Sequence, residues 1–254
     1  MAVDSAILAA VESGLAPPTL RLYSWDPPCL SLGYSQPYSD IDQTLLEVSG
    51  WDVVRRPTGG RAILHTDELT YAVIGPRSDP RLEGGLTQSY QRLSEALYVS
   101  LVRMDLPVEI HQGKNPLANS QPVCFENPSD FEITVAGRKI IGSAQARKKN
   151  SLLQHGSLPL GGDLTRITRV LIYKTEDERE EAAHVLSQKA CTAADVLEKE
   201  ITWDQAARAF ISGFSQTLNL NLIEGQLSSI ENDLVEELLK NQFKNNKWTR
   251  KKTN

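Results

Sequence analysis

The chain predicts an α/β (α+β) fold: a mixed, largely antiparallel sheet flanked by helices, closed by a helical C-terminal third. Three observations carry this. Strand-like runs arrive in adjacent pairs rather than alternating singly with helices, which favours antiparallel pairing over a doubly wound parallel sheet. Two segments with helical apolar spacing sit among those strands. After Gly161-Gly162 the sequence turns charged and helical to its end. With 254 residues, 40% hydrophobic and 23% charged, the chain can bury a sizeable core. The expected division is an α/β body over residues 1–162 and a helical part over 163–254 packed on the same domain.

The elements follow in order. Val3, Ile7, Leu8 and Val11 place a helix over 2–13, stopped by Gly14. Residues 19–25 and 29–34 read as strands split by Pro27-Pro28. Ser39 is the expected N-cap of a short helix with Ile41, Leu45 and Leu46 on one face. Residues 51–56 read as a strand entering the loop 57–61, and 62–65 with 69–74 as a paired hairpin. Leu93, Leu97 and Leu101 mark the longest helix, over 89–104, before a short strand at 108–111. A polar loop spans 113–128. Phe131, Ile133 and Val135 alternate with Glu132 and Thr134, the pattern of a half-buried strand. A turn at 136–138 returns the chain as a strand over 139–146, and 151–160 forms the next. Helices are expected near 164–171, 177–186, 203–218 and 230–243.

Composition excludes several functions. A net charge of −5 argues against nucleic acid as a principal partner. No apolar run approaches the roughly 20 residues that span a bilayer, so no membrane partner is expected. The opening MAVDSAILAAVESG has an early Asp and no basic segment, unlike a secretory signal. Three cysteines, Cys29, Cys124 and Cys191, are odd in number and far apart, which suits neither a disulfide framework nor a zinc site. A reducing cytoplasm is the simplest setting, and no metal site is expected.

The residues with chemical potential fall in two stretches. In RRPTGGRAILH, Thr58, Gly59 and Gly60 let backbone N–H groups approach a ligand, and Arg55, Arg56 and Arg61 offer donors. The same loop reads equally as a tight turn with solvated arginines. It is not a P-loop, because no GKS or GKT follows. His65 and His155 read first as structural hydrogen-bonders, and His111 and His184 as structural or surface residues. In the second stretch Cys124 lies in a polar loop, where a thiol is more reactive than in a core. Cys29 reads as a core residue and Cys191 as incidental. Lys139 stands between apolar neighbours and either snorkels outward or points into a cavity. Gly142 and Ser143 leave room beside the backbone. A thiol and an ammonium in one pocket would form a minimal acyl-transfer site. Arg147, Lys148 and Lys149 read either as a solvated loop or as a docking patch for an acidic protein.

Several segments in fixed order, RRPTGGRAILH, GRKIIGSAQARKK, LLQHGSLPL and DSAILAAVESGLAPPTLRLYSWDPPCLSLGYSQ, resemble the biotin/lipoate protein ligase superfamily over nearly the whole chain. The resemblance implies a ligase-like fold with an acyl-binding, catalytic body. Within the superfamily the chain looks like the octanoyltransferases, whose cysteine lies upstream of the GRK–GSAQ hairpin as Cys124 does here. It implies octanoyl transfer from acyl carrier protein, through a Cys124 thioester assisted by Lys139, to a lysine of apo lipoyl domains. Those domains are the glycine cleavage H protein and 2-oxoacid dehydrogenase E2. By the family pattern Arg56, Thr58, Gly59, Gly60 and His65 line the acyl site, with Gly142, Ser143 and His155 beside them. No cofactor is implied. ATP and Mg enter only under the alternative of a lipoate–protein ligase, which more often carries a third glycine where this chain has Arg61. An octanoyl amidotransferase and a non-catalytic acyl-binding scaffold are the remaining alternatives.

Overall fold

A computed structural model describes residues 1–111 and 131–251. The chain runs α1 (Ala2–Glu12), β1 (Thr19–Tyr23), β2 (Cys29–Leu32), α2 (Gln43–Val48), β3 (Asp52–Arg55), β4 (Ile63–His65), β5 (Glu68–Pro76), α3 (Leu86–Val102) and β6 (Glu109–His111). It continues with β7 (Glu132–Val135), β8 (Arg138–Lys139), β9 (Gly142–Arg147), β10 (Ser151–Pro159), α4 (Glu176–Lys189), α5 (Ala193–Leu197), α6 (Trp203–Thr217), α7 (Ser229–Leu238) and α8 (Asn246–Thr249).

The strands form a four-stranded antiparallel sheet, β1-β5-β10-β9, and two three-stranded sheets, β3-β2-β4 and β6-β7-β8. Among the described strands only β2 and β3 pair in parallel. The central strand β5 is buried on both faces, and its period of two sorts its side chains. Leu69 and Tyr71 meet Leu93 and Leu97 of α3 and Phe210 and Phe214 of α6. Ala72 and Ile74 face Ile7, Leu8 and Val11 of α1. On β10 the same alternation turns Leu152 and Leu158 toward α3 and α6, and Leu153 toward α1. His155 shares the face of Leu153 and so points at α1.

Several expectations are corrected. Ser39 caps nothing: it lies in a 3₁₀ turn, Tyr38–Asp40, and Asp42 caps α2 by accepting from the Leu45 N–H at 2.9 Å. Residues 62–65 and 69–74 are not a paired hairpin. β4 pairs with β2 and β5 with β1 and β10, because the turn between them carries the chain from one sheet to the other. The strand expected over 139–146 breaks at Ile140-Ile141, both buried, where the chain crosses from the β6-β7-β8 sheet to the four-stranded sheet. Residues 164–170 form 3₁₀ rather than α turns. The helix expected over 230–243 is α7 followed by a π turn, Leu239–Phe243. No helix among the described residues is long and apolar enough to cross a membrane.

Candidate active site

The loop 57–61 folds back over the end of β2. Tyr34 N–H donates to Thr58 O at 2.9 Å, and a Cβ at Gly33 would come within 1.8 Å of Gly60 O. The backbones meet so closely that only glycine fits at 33. The two arginines that enter the loop are buried, and a buried guanidinium must find acceptors. Arg55 donates to Gly33 O at 2.8 Å, Gln36 O at 2.6 Å and Thr249 O at 2.8 Å, pinning β3 to the C-terminal segment. Arg56 donates to Ser31 O at 2.9 Å, Gly59 O at 2.9 Å and Arg61 O at 2.7 Å. Arg56 therefore gives the loop its shape while also lining the cleft beside it.

That cleft, open to solvent and about 350 Å³ with the space at its mouth, lies between β2, β4 and the paired strands β9 and β10, with Arg56, His65, Gly142, Ser143 and His155 in its wall. Each histidine in it belongs to a buried relay. Thr58 Oγ1 lies 2.6 Å from His155 Nε2, and His155 Nδ1 lies 4.0 Å from Asp4 Oδ2. Asp4 accepts from Arg21 Nη1 at 2.7 Å and from Tyr23 OH at 2.8 Å. Burial alone would raise the Asp4 carboxyl; the His155 ring and the Arg21 charge outweigh it and hold the group well below the ordinary carboxylate range. Burial pushes His155 down from its ordinary value against the pull of Asp4, so the ring is neutral at neutral pH. In the second relay Ser31 Oγ lies 2.7 Å from His65 Nε2, and His65 Nδ1 lies 2.6 Å from Glu68 Oε1. Trp25 stacks on His65 with ring centroids 4.3 Å apart, and its Nε1 donates to Thr70 Oγ1 at 2.9 Å. Thr70 in turn donates to Glu68.

Ser143 joins this cleft to a second chamber. Its Oγ lies 2.6 Å from Tyr71 OH, which accepts from Gln154 Nε2 at 3.1 Å, and Tyr90 OH donates to its carbonyl at 3.2 Å. Burial pushes the Tyr71 phenol above its ordinary value, so it stays protonated. The second chamber, about 230 Å³, is lined by Tyr90, Leu97, Glu132, Lys139, Ile141 and Ser143. Lys139 is 7% exposed and does not snorkel outward; its Nζ lies 2.5 Å from Glu132 Oε1 on the neighbouring strand. The turn between the two strands is built for this pairing, with Ala136 at φ 48° and Gly137 at φ 76°.

Of the residues expected at the site, Arg56, Thr58, His65, Gly142, Ser143 and His155 converge on the cleft, Gly59 and Gly60 form its exposed loop, and Lys139 lines the second chamber together with Ser143. The loop 113–128, and Cys124 with it, lies outside the described residues. The two described thiols are poor nucleophiles. Burial pushes Cys29 up to about 12 and Cys191 up to about 11. The main chain at Cys191 ties the helical part to the lysine strand: its N–H donates to Lys139 O at 3.0 Å, and Ala190 bridges Lys139 in parallel. Sequence reasoning missed Asp4, Ser31, Glu68 and Tyr71. Asp4 left a signal, since it stands with Ile7, Leu8 and Val11 at i, i+3, i+4 and i+7, a carboxylate on the apolar stripe of its helix. Among the described residues no cluster of three or more His, Cys, Asp or Glu is placed to hold a metal.

Comparison with known proteins matches residues 1–215 to the lipoyl protein ligase A/B catalytic domain. The chain is 38% identical over 249 residues to octanoyltransferase LipM of Carboxydothermus hydrogenoformans, covering 98% of this chain and 92% of that one. It is 35% identical to the enzyme of the same name from Bacillus subtilis, covering 99% and 93%. Among solved structures, lipoate-protein ligase A bound with ATP superposes with a TM-score of 0.78 at 25% identity, over 99% of this chain and 92% of that one. The bipartite lipoate protein ligase of Thermoplasma acidophilum shares the fold, with a TM-score of 0.82 at 24% identity, over 100% and 91%.

Proposed function

Because the chain belongs to the lipoyl protein ligase A/B catalytic-domain family, we propose that its acyl-transfer chemistry runs through a thioester on Cys124, with Lys139 as the cation at the reacting carbonyl. The chain is an octanoyltransferase of lipoate biosynthesis, as its full-length relatives are. The observation that carries the route is the Lys139 ammonium, buried and fixed by Glu132 in a chamber that meets the histidine-lined cleft at Ser143. Cys124 is seven residues ahead of Phe131, which lines the same chamber. A chain of that length spans at most about 24 Å, which bounds how far the thiol can lie from the chamber. The buried state of Cys29 and Cys191 leaves Cys124 as the thiol suited to attack.

The steps balance without nucleotide. The Cys124 thiolate attacks the octanoyl thioester of acyl carrier protein, and Lys139 stabilises the oxyanion. The carrier thiolate leaves and is protonated, giving an acyl-enzyme of nearly equal energy. The neutral amine of a lipoyl-domain lysine, on an H protein or an E2 subunit, then attacks; the amide forms and its proton returns to the Cys124 sulfur. Burying about six methylenes at roughly 0.8 kcal/mol each supplies on the order of 5 kcal/mol, enough to select chain length. Arg56, Thr58, Gly59, Gly60 and His65 shape the acyl site, with Gly142, Ser143 and His155 as its opposite wall. A reducing cytoplasm keeps the thiol available, and residues 163–254 buttress the same body.

Intact mass spectrometry tests the route. Incubation with octanoyl-carrier protein should give a hydroxylamine-sensitive octanoyl adduct that is lost in Cys124→Ala and kept in Cys29→Ser and Cys191→Ser. Transfer that persists in Cys124→Ala refutes the nucleophile. Product formed from free acid and ATP, with pyrophosphate released, would instead place the chain with the ligases.

A further inference from the structure

One cluster of cations has no part in the site. Arg77 Nη1 donates to the carbonyls of Lys148 at 3.2 Å and Lys149 at 3.1 Å, and Arg147 donates to Gly84 O at 2.6 Å and Ser89 Oγ at 2.9 Å. Burial lowers the Arg147 pKa, and the neighbouring Arg77 charge lowers it further, which places two like charges side by side. Lys148 and Lys149 follow β9 in the β9–β10 turn and are exposed, and Leu86, 54% exposed, follows Gly85, whose carbonyl accepts from Arg147 at 3.2 Å. The nearby carboxylates do not cancel this charge. Glu12, which accepts from the Asn150 N–H at 3.1 Å and the Ser151 hydroxyl, keeps its charge near Lys148 and offsets one of the four cations, while Asp79 pairs with Arg81 at 3.3 Å. Glu83 is the remaining exposed acid beside it. The patch is therefore a local reversal on a chain of net charge −5.

Its position in the fold gives it a use. β9 starts at Gly142 and Ser143 in the cleft wall and ends at Arg147, so Lys148 stands five residues, or about 16 Å, along the strand from Ser143. We infer that Arg77, Arg147, Lys148 and Lys149, with Leu86, dock the acidic carrier protein that delivers the acyl thioester, holding it at the distance its long prosthetic tether spans to the cleft. This rests on the thioester route above. Charge complementarity fixes the occupant, because an acidic carrier presents carboxylates to such a patch and the rest of this surface is net acidic.

The test separates docking from chemistry. In Lys148→Glu/Lys149→Glu, the Kd for fluorescently labelled carrier protein, read by anisotropy at low ionic strength, should rise about tenfold or more, and the difference should shrink as salt is added. Acyl-enzyme formation from octanoyl-carrier protein should fall in parallel, while formation from the small donor octanoyl-pantetheine stays unchanged. An unchanged Kd overturns the inference. So does equal loss with both donors, or a loss confined to discharge of the acyl-enzyme onto the lipoyl domain, which would give the patch to the acceptor. The neutral variant Lys148→Gln/Lys149→Gln should show a smaller rise in Kd at the same melting temperature. If the wild type binds carrier protein through these lysines yet forms no adduct with either donor, the thioester route fails and the docking surface stands.

Discussion

Asp4→Asn is the most informative substitution in the α1 relay. The side chain is 0% exposed; one oxygen takes Arg21 and the other takes Tyr23 and faces His155. The amide keeps the shape but removes the charge and sets an N–H donor against groups that themselves donate. Removing one partner of a buried ion pair costs about 3–5 kcal/mol. Arg21 is 27% exposed and regains water, so the lower end, about 3 kcal/mol, applies here. For a chain of this size that is a fall in Tm of about 6–12 °C. The pH dependence has a fixed sign. The Asp4 carboxyl is depressed in the folded state, so its contribution is complete above the ordinary carboxylate range and lost as pH falls through the depressed value. His155 is also depressed, so the unfolded chain binds its proton first and stability already declines below about pH 6.5. Thermal melts of wild type and Asp4→Asn from pH 4 to 8 should show a gap that persists from pH 8 downward and widens below about pH 6.5, because Asp4 keeps its charge throughout and His155 without it is harder still to protonate in the folded variant. A variant within 2 °C of wild type at pH 7, or a gap that closes between pH 7 and pH 5, would refute the reasoning.

Two further outcomes follow from the same geometry. Gly33→Ala places a Cβ where Gly60 O now sits, 1.8 Å away, so the loop must lift and Thr58 must leave His155; octanoyl transfer should fall about a hundredfold, and steady-state kinetics with kcat near wild type would contradict it. Lys139→Met should lose about 3 kcal/mol of stability by orphaning Glu132, and Lys139→Met/Glu132→Leu should recover most of it without recovering acyl-enzyme formation; denaturant melts beside the mass assay separate the two effects.

Local pattern made the helices and most strands legible, because each is decided by residues within a few positions of one another. The stripe Ile7, Leu8, Val11 drew α1, and the alternation around Ile133 and Val135 drew β7. Strand partners were not legible. β4 and β5 are separated by two residues, yet they join different sheets because β10, some eighty residues later, claims β5. The break at Ile140-Ile141 did leave a trace, since two successive apolar residues violate the alternation of a one-sided strand. At the site, the family-like loop and the hairpin lysine stood out by residue type. Ser31 and Glu68 did not, because a buried serine and a strand glutamate acquire meaning only when His65 is seen between them. The arginines were read either as ligand donors or as solvated side chains of a tight turn; residue type could not show that Arg55 and Arg56 are buried and donate to backbone carbonyls, because those acceptors come from segments far along the chain.

The position of the Lys139 ammonium follows from three restraints that come from different parts of the chain. The tight turn at 136–137 sets the register of β7 and β8. Glu132, on the facing strand, holds the Nζ itself. The third is the bridge from Ala190 and the N–H of Cys191, which fixes the Lys139 carbonyl from the helical part. An oxyanion is stabilised best by a charge that need not move when the oxyanion forms. A lysine side chain has enough rotatable bonds to lose that advantage unless its backbone and its charged end are both held. Under the thioester route proposed above, the helical third therefore bears on the chemistry even though it lines neither the cleft nor the lysine chamber closely. Its α6 packs on α3, whose Tyr90 and Leu97 form the chamber wall, and the Ala190–Cys191 segment clamps the strand beside it.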